Sequence, residues 1–192
     1  MEAHVYSSLE LPGSVVAIGA FDGVHRGHQA VIRQSMQRSR KLKVPSVVYT
    51  FDPPPRVFFQ GAKMLTTVDE KLWKLKKLGV QHTVVTQFDE VYAKKSASEF
   101  IHSLEKLNPV EIMVGGDFRF GKDRIGDISL LEKYFKVSVT KPVLCSQGSI
   151  ISSTRIRQLI SEGEVNLSNA LLGWDFSPAF NADFTNNHIL QE

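Results

Sequence analysis

Short runs of apolar, β-branched residues alternate along this chain with longer stretches in which apolar side chains return every three or four positions. The runs are SVVAIG at 14–19, SVVYTF at 46–51, HTVVT at 82–86, EIMVG at 111–115 and KVSVTKPV at 136–143. Their length and their lack of strict polar alternation predict strands buried on both faces, as in parallel sheets. The amphipathic stretches at 29–43, 69–78, 97–107 and 128–135 predict helices between them. Strand and helix in alternation fold as right-handed βαβ units, so the expected class is α/β, a Rossmann-like doubly wound parallel sheet of about five strands.

Local signals sharpen the helix boundaries. Ser96 with Glu99 has capping-box spacing, and Gly79 follows Leu78 where a helix-ending glycine belongs. Three consecutive prolines, Pro53 to Pro55, break the rhythm. Proline removes a backbone donor, so the stretch 52–67 is expected to be an extended flap rather than helix or central strand.

Composition then narrows the setting. The 192 residues are 42% hydrophobic and 22% charged, which suits one domain with a continuous core. A formal net charge of +3 does not indicate a general polyanion binder. The basic run Arg33, Arg38, Arg40, Lys41 and Lys43 reads as solvated helix charge, and nucleic acid is not an expected partner. The single cysteine, Cys145, excludes an internal disulfide and a cysteine-based zinc cluster, and His82 and His102 lack companions at metal-ligand spacing, so zinc is not expected. No apolar segment approaches the roughly 20 residues that span a bilayer, so no membrane partner is expected and the expected location is the cytoplasm.

Candidate chemistry lies just after the predicted strands, where ligands sit in doubly wound sheets. Gly19-Ala-Phe-Asp-Gly-Val-His-Arg-Gly-His28 ends a strand in a glycine-spaced turn and delivers two histidines to a helix start. Imidazoles three residues apart share one side of a first turn, beside free N–H groups and the positive end of the helix dipole, which suits a phosphate. A bare pair of this kind is more often surface or capping residues. Here the strand, the turn, the acidic Asp22 and both histidines coincide. The second place, Ile150-Ile-Ser-Ser-Thr-Arg-Ile-Arg157, reads as a helix N-terminus whose Ser153, Thr154, Arg155 and Arg157 would cradle phosphates. The third, Gly115-Gly-Asp-Phe-Arg-Phe-Gly121, combines flexible backbone, a carboxylate and aromatics that suit a base or ring. Its partial P-loop match fails because Asp123 stands where a hydroxyl must reach magnesium. The spacing of Gly19, Gly23 and Gly27 does not fit the dinucleotide fingerprint.

The motifs GAFDGVHRGH, TFDPPP, GGDFRFG and ISSTRIR, followed by an LLG ending, stand in an order that resembles the adenylyltransferase domain of bacterial FAD synthetases, usually the N-terminal half of a bifunctional flavokinase and FAD synthetase. The resemblance implies an HxGH-type nucleotidyltransferase that joins the AMP of ATP to FMN, with magnesium. It implies that His25, His28 and Arg157 are catalytic, and that Gly19, Phe21, Asp22, Gly27, Asp117, Ser153, Thr154 and Arg155 bind ATP. Asp117 is also the implied metal ligand, and Pro53, Pro55, Phe59 and Phe120 are implied flavin contacts. The chain departs from the family at Pro54, where histidine is usual. The implied organisation is a nucleotidyltransferase domain over 1–173 and a tail over 174–192, with no kinase barrel. Two alternatives stay open: the same nucleotide site serving another phosphate acceptor, and a catalytically weak flavin-binding regulator. Nothing in the pattern points to an oligomeric state.

Overall fold

A computed structural model describes residues 1–5 and 9–174, so the expected tail lies, beyond Trp174, outside the described residues. In chain order the elements are β1 (Glu2–Val5), β2 (Ser14–Ile18), α1 (Arg26–Leu42), β3 (Ser46–Asp52), α2 (Pro55–Gln60), α3 (Val68–Leu78) and β4 (His82–Gln87). There follow α4 (Glu90–Ala93), α5 (Ala97–Glu105), β5 (Pro109–Gly115), α6 (Ile128–Leu131), β6 (Val137–Thr140), α7 (Ser153–Ser161) and α8 (Val165–Leu172).

The strands form one six-stranded sheet in the order β1-β4-β3-β2-β5-β6, and every pairing is parallel. The expected class therefore holds, with one strand more than the roughly five anticipated from long apolar runs. The additional strand is β1, a four-residue edge strand reading EAHV that pairs on one side only, with β4. A short edge strand with polar residues carries no buried-strand signature.

Alternation along β2 divides the core. Val16 and Ile18 face a cluster with Phe100, Ile101 and Leu104 of α5 and Leu131 of α6, while Val15 and Ala17 face Val31, Ile32 and Met36 of α1 and Leu75 of α3. Helices thus cover both sheet faces. Ile32 and Leu75 are fully buried, which is worth on the order of 2 kcal/mol each. A third cluster joins Leu65 to Ile151, Ile156, Leu171 and Leu172, seating α7 and α8 beside the end of the flap.

Helix ends follow the local chemistry. Thr67 and Ser96 both form reciprocal capping boxes with Glu70 and Glu99, and Gly79 closes α3 at φ 88°. The proline segment corrects an expectation: the flap is not extended throughout, because α2 begins at Pro55. Proline is tolerated at the first helical position, where its missing N–H would have no partner anyway. The Pro54 carbonyl accepts from the N–H groups of Val57 and Phe58 at 2.8 and 3.1 Å.

Chain order reverses at β2, since β3 and β4 lie on one side of it and β5 and β6 on the other. The switch point between β2 and β5 opens a crevice beyond their carboxyl ends. The histidine turn after β2 and the Gly115–Gly121 loop after β5 flank it.

Candidate active site

The turn after β2 is held in unusual backbone. Phe21 and Val24 have φ of 48° and 45°, and Gly23 between them has φ 83°. A β-branched residue with positive φ is a marked outlier, sustained only where surrounding contacts fix it. Those contacts come from behind. The Val24 carbonyl accepts from Gln29 Nε2 at 3.0 Å and from Trp174 Nε1 at 2.9 Å, and Gln29 Nε2 also donates to the Leu172 carbonyl at 3.0 Å. The LLG ending is thus a buttress for the turn.

His25 caps α1 rather than lying inside it, and its Nδ1 accepts from the His28 N–H at 3.3 Å. In the neutral ring this places the proton on Nε2, leaving an Nε2–H donor. The two rings stack, with centroids 3.5 Å apart and planes 19° from parallel, and Phe21 meets His28 edge-on at 5.3 Å. Burial pushes the His25 pKa down to about 4, its own backbone hydrogen bond opposes this, and the Arg157 charge adds to the lowering. His28 lies well below its ordinary value through burial, then through His25 and the Lys71 charge. Both imidazoles are therefore neutral donors at pH 7. Gly27 makes their arrangement fit. A Cβ there would stand 3.0 Å from His25 Cε1 and 3.3 Å from the Ile151 carbonyl oxygen.

That last contact shows the second motif meeting the first. Ser152 caps α7, so Ser153 and Thr154 occupy its opening turn. Ser153 Oγ donates to the Asp22 carbonyl at 3.0 Å, and the Arg157 guanidinium pairs with the Asp22 carboxylate while its Nε donates to the Lys63 carbonyl at 2.6 Å. Asp22 Oδ1 also accepts from the N–H groups of Leu65 and Thr66 at 3.0 and 3.2 Å, and Thr66 Oγ1 accepts from the Gly23 N–H at 3.0 Å. Asp22 is buried and spends its carboxylate on protein donors. It organises the cradle.

Among the described residues, three buried side-chain polar atoms have no hydrogen-bond partner, and two of them, His28 Nδ1 and an Arg157 terminal nitrogen, belong to this site. Buried donors and acceptors are normally paired, so orphans beside a helix N-terminus point to a polar ligand.

The remaining candidates divide. Thr154 Oγ1 accepts from Arg56 of α2, which brings the flap to the cradle. Arg155 is not brought there: it donates to Cys145 Sγ at 3.0 Å and Gln147 Oε1 at 2.9 Å. On a helix, Ser153 and Arg157 share a face as positions i and i+4, whereas Arg155 lies about 200° around the axis from Ser153. Gly19 follows β2 directly, and a Cβ on it would meet the Phe21 ring at 3.0 Å. Asp117 lies exposed in the loop after β5.

Phe59 is 64% exposed and stacks edge-on with Phe58 and Phe88 at 5.1 and 5.7 Å. Pro53 and Pro55 are half-buried at the start of this patch, and Pro54 between them is buried. Phe120 is buried at 6% exposure, packed on Phe100 and Phe118 at 5.0 and 5.6 Å. Its ring is part of the core, since a Cβ on Gly126 would fall 2.6 Å from it.

Lys71 was invisible in the sequence, where it reads as one more charge on α3. It is fully buried, its Nζ donates to the Phe51 carbonyl at 2.7 Å and to Thr50 Oγ1 at 3.4 Å, and burial lowers its pKa to about 8 against the opposing charges of Asp22 and Asp52. The signal available was its spacing, since Lys71 and Leu75 are i and i+4 on the inward stripe.

No helix of the described residues is long and apolar enough to cross a membrane. The sequence model of the FAD synthetase family matches residues 7–155. A protein of Geobacillus thermodenitrificans named putative bifunctional riboflavin kinase/FMN adenylyltransferase is 58% identical over 169 residues, covering 88% of this chain and 94% of its own length. The bifunctional riboflavin kinase/FMN adenylyltransferase of Escherichia coli K12 is 37% identical over 184 residues, covering 91% of this chain and 58% of its own length. A crystal structure titled macrolide-efflux protein, from Streptococcus pneumoniae, superposes with a TM-score of 0.79 at 33% identity over 90% of this chain and 60% of that one. Against some relatives, then, the chain spans little more than half their length. With the histidine turn and the cradle meeting beyond the carboxyl end of β2, and the family model and relatives covering most of its length, the chain belongs to the FAD synthetase family.

Proposed function

We propose that this chain is an FMN adenylyltransferase, joining the AMP of ATP to FMN to give FAD and pyrophosphate. An oxygen of the FMN phosphate attacks the α-phosphorus of ATP, the bond from that phosphorus to the α,β-bridging oxygen breaks, and pyrophosphate leaves with the electron pair. No protein nucleophile is needed, so catalysis rests on placing donors around transferring charge. The observation that carries the reading is the convergence of the His25/His28 turn with the N-terminus of α7, where His28 Nδ1 and an Arg157 nitrogen stand buried without partners.

In this reading the Nε2–H of His25 and the ring of His28 stabilise charge on the α-phosphate as neutral donors. The N–H groups opening α7, the hydroxyls of Ser153 and Thr154, and the Arg157 fork hold the β- and γ-phosphates. Asp22 keeps Arg157 and the turn in register. The aromatic patch around Phe59 and Phe88, with Pro53 and Pro55, receives the flat ring of the acceptor, since apolar walls and stacking suit isoalloxazine. Phe120 is buried against Phe100 and Phe118 instead, away from this wall.

Magnesium fits the donor set, because Mg2+ is commonly held by one or two carboxylates with substrate phosphates, and Asp117 offers an exposed carboxylate beside the crevice. When bound it would neutralise phosphate charge. ATP and FMN are the partners of this reading, in a cytoplasmic setting.

The test is direct. The protein with ATP, Mg2+ and FMN forms FAD and pyrophosphate in equal amounts, and His28→Ala lowers kcat by about a hundredfold, the usual cost of one lost transition-state donor. Absence of FAD from the wild-type chain, or full activity in the variant, refutes the reading.

A further inference from the structure

Glu2 and His4 on β1 and His82 on β4 aim one donor atom each at a single point. Glu2 pairs in register with His82, and His4 lies two residues further along β1 and so on the same sheet face. His4 Nε2 stands 3.3 Å from His82 Nδ1 and 3.6 Å from Glu2 Oε2, and Glu2 Oε2 stands 3.5 Å from His82 Nδ1. Two of these residues open their strands, so the cluster lies at the amino ends of a parallel sheet whose carboxyl ends carry the phosphate site.

The three edges form a nearly equilateral triangle. A tetrahedral cation with bonds of about 2.0–2.1 Å to nitrogen or oxygen requires its donors roughly 3.3–3.4 Å apart, and the observed edges fall within a few tenths of that. One imidazole hydrogen bond accounts for the shortest edge alone. Three mutually short edges from two bases and a carboxylate match a ligand triangle. The histidine side chains retain 19 and 20% exposure and Glu2 retains 72%, so a hydrated ion reaches the point from solvent.

We propose that Glu2, His4 and His82 form a binding site for one divalent transition cation, with Zn2+ and Co2+ as fitting probes and water completing the tetrahedron. Two imidazoles and one carboxylate suit this class, whereas Mg2+ prefers octahedral oxygen donors. The ion would bridge neighbouring strands and clip the edge strand β1 onto β4. This inference stands apart from the adenylyl-transfer reading.

The experiment uses the full chain with a native N-terminus, freed of Mg2+ and titrated with Co2+. One Co2+ per chain gives the intense visible absorption of a tetrahedral site, Zn2+ bleaches it stoichiometrically, and Mg2+ does not. His82→Gln and the exposed Glu2→Gln each weaken Co2+ binding by more than about tenfold, since losing even an outer partner of a metal ligand costs 10- to 100-fold. His28→Gln keeps the band, and FAD formation by Glu2→Gln is unchanged. Absence of a tetrahedral band, its persistence in both Glu2→Gln and His82→Gln, or its loss in His28→Gln overturns the proposal.

Discussion

The Arg157 guanidinium closes on the Asp22 carboxylate across residues from opposite ends of the chain, and through that pair the turn after β2, the end of the flap and helix α7 become one rigid unit. Asp22→Ala strips the acceptor from Leu65, Thr66 and Arg157 at once. Removing one partner of a buried pair costs about 3–5 kcal/mol, so Tm falls by roughly 6 °C or more in a thermal melt. Arg157→Ala loses the tie and, on the proposed reading, a phosphate donor, and kcat/KM for FAD formation drops by about a hundredfold or more.

Acid should loosen the protein at the same place. An unfolded histidine takes up a proton near pH 6.5, whereas burial holds folded His25 neutral down to about pH 4. Between those values the unfolded state binds more protons, so stability is full above pH 6.5 and falls as the pH drops toward 4. His25 alone contributes a slope of on the order of 1.4 kcal/mol per pH unit. Urea melts across this window measure the slope, and His25→Asn lowers it by about one proton's share, leaving the part due to His28.

The charge of Lys71 is one cause of the low pKa of His28. Replacing it by methionine keeps most of the buried stem and removes the charge. In Lys71→Met the His28 pKa moves up toward its ordinary value, read by NMR titration of the ring protons. An unmoved His28 would show that Lys71 acts only by holding the Phe51 carbonyl.

Phe59 presents most of its ring to solvent on the aromatic patch. Phe59→Ala raises KM for FMN several-fold, a loss of about 1 kcal/mol expected for one aromatic contact, and leaves KM for ATP unchanged. Equal changes in both constants would remove Phe59 from the acceptor side.

Much of this was legible from residue order. Buried parallel strands announce themselves as β-branched runs, and SVVAIG and SVVYTF lie side by side at the sheet centre. The histidine turn and the hydroxyl-rich helix start were readable because glycines and capping residues have fixed uses at strand and helix ends. What stayed hidden depended on direction and depth. EAHV gave no apolar run, because an edge strand has one neighbour to satisfy. Pro55 suggested extension, yet at a helix start it costs nothing. Arg155 and Arg157 look equivalent in a string of letters, and only helical rotation separates them. His4 and His82 stand 78 positions apart, and only strand register makes them neighbours.

The Val24 carbonyl receives its donors from Gln29 and Trp174, residues made early and late. The bend carrying His25 and His28 is therefore latched from 150 positions further along the chain, so it stays unlatched in any fragment that stops short of Leu172 and Trp174.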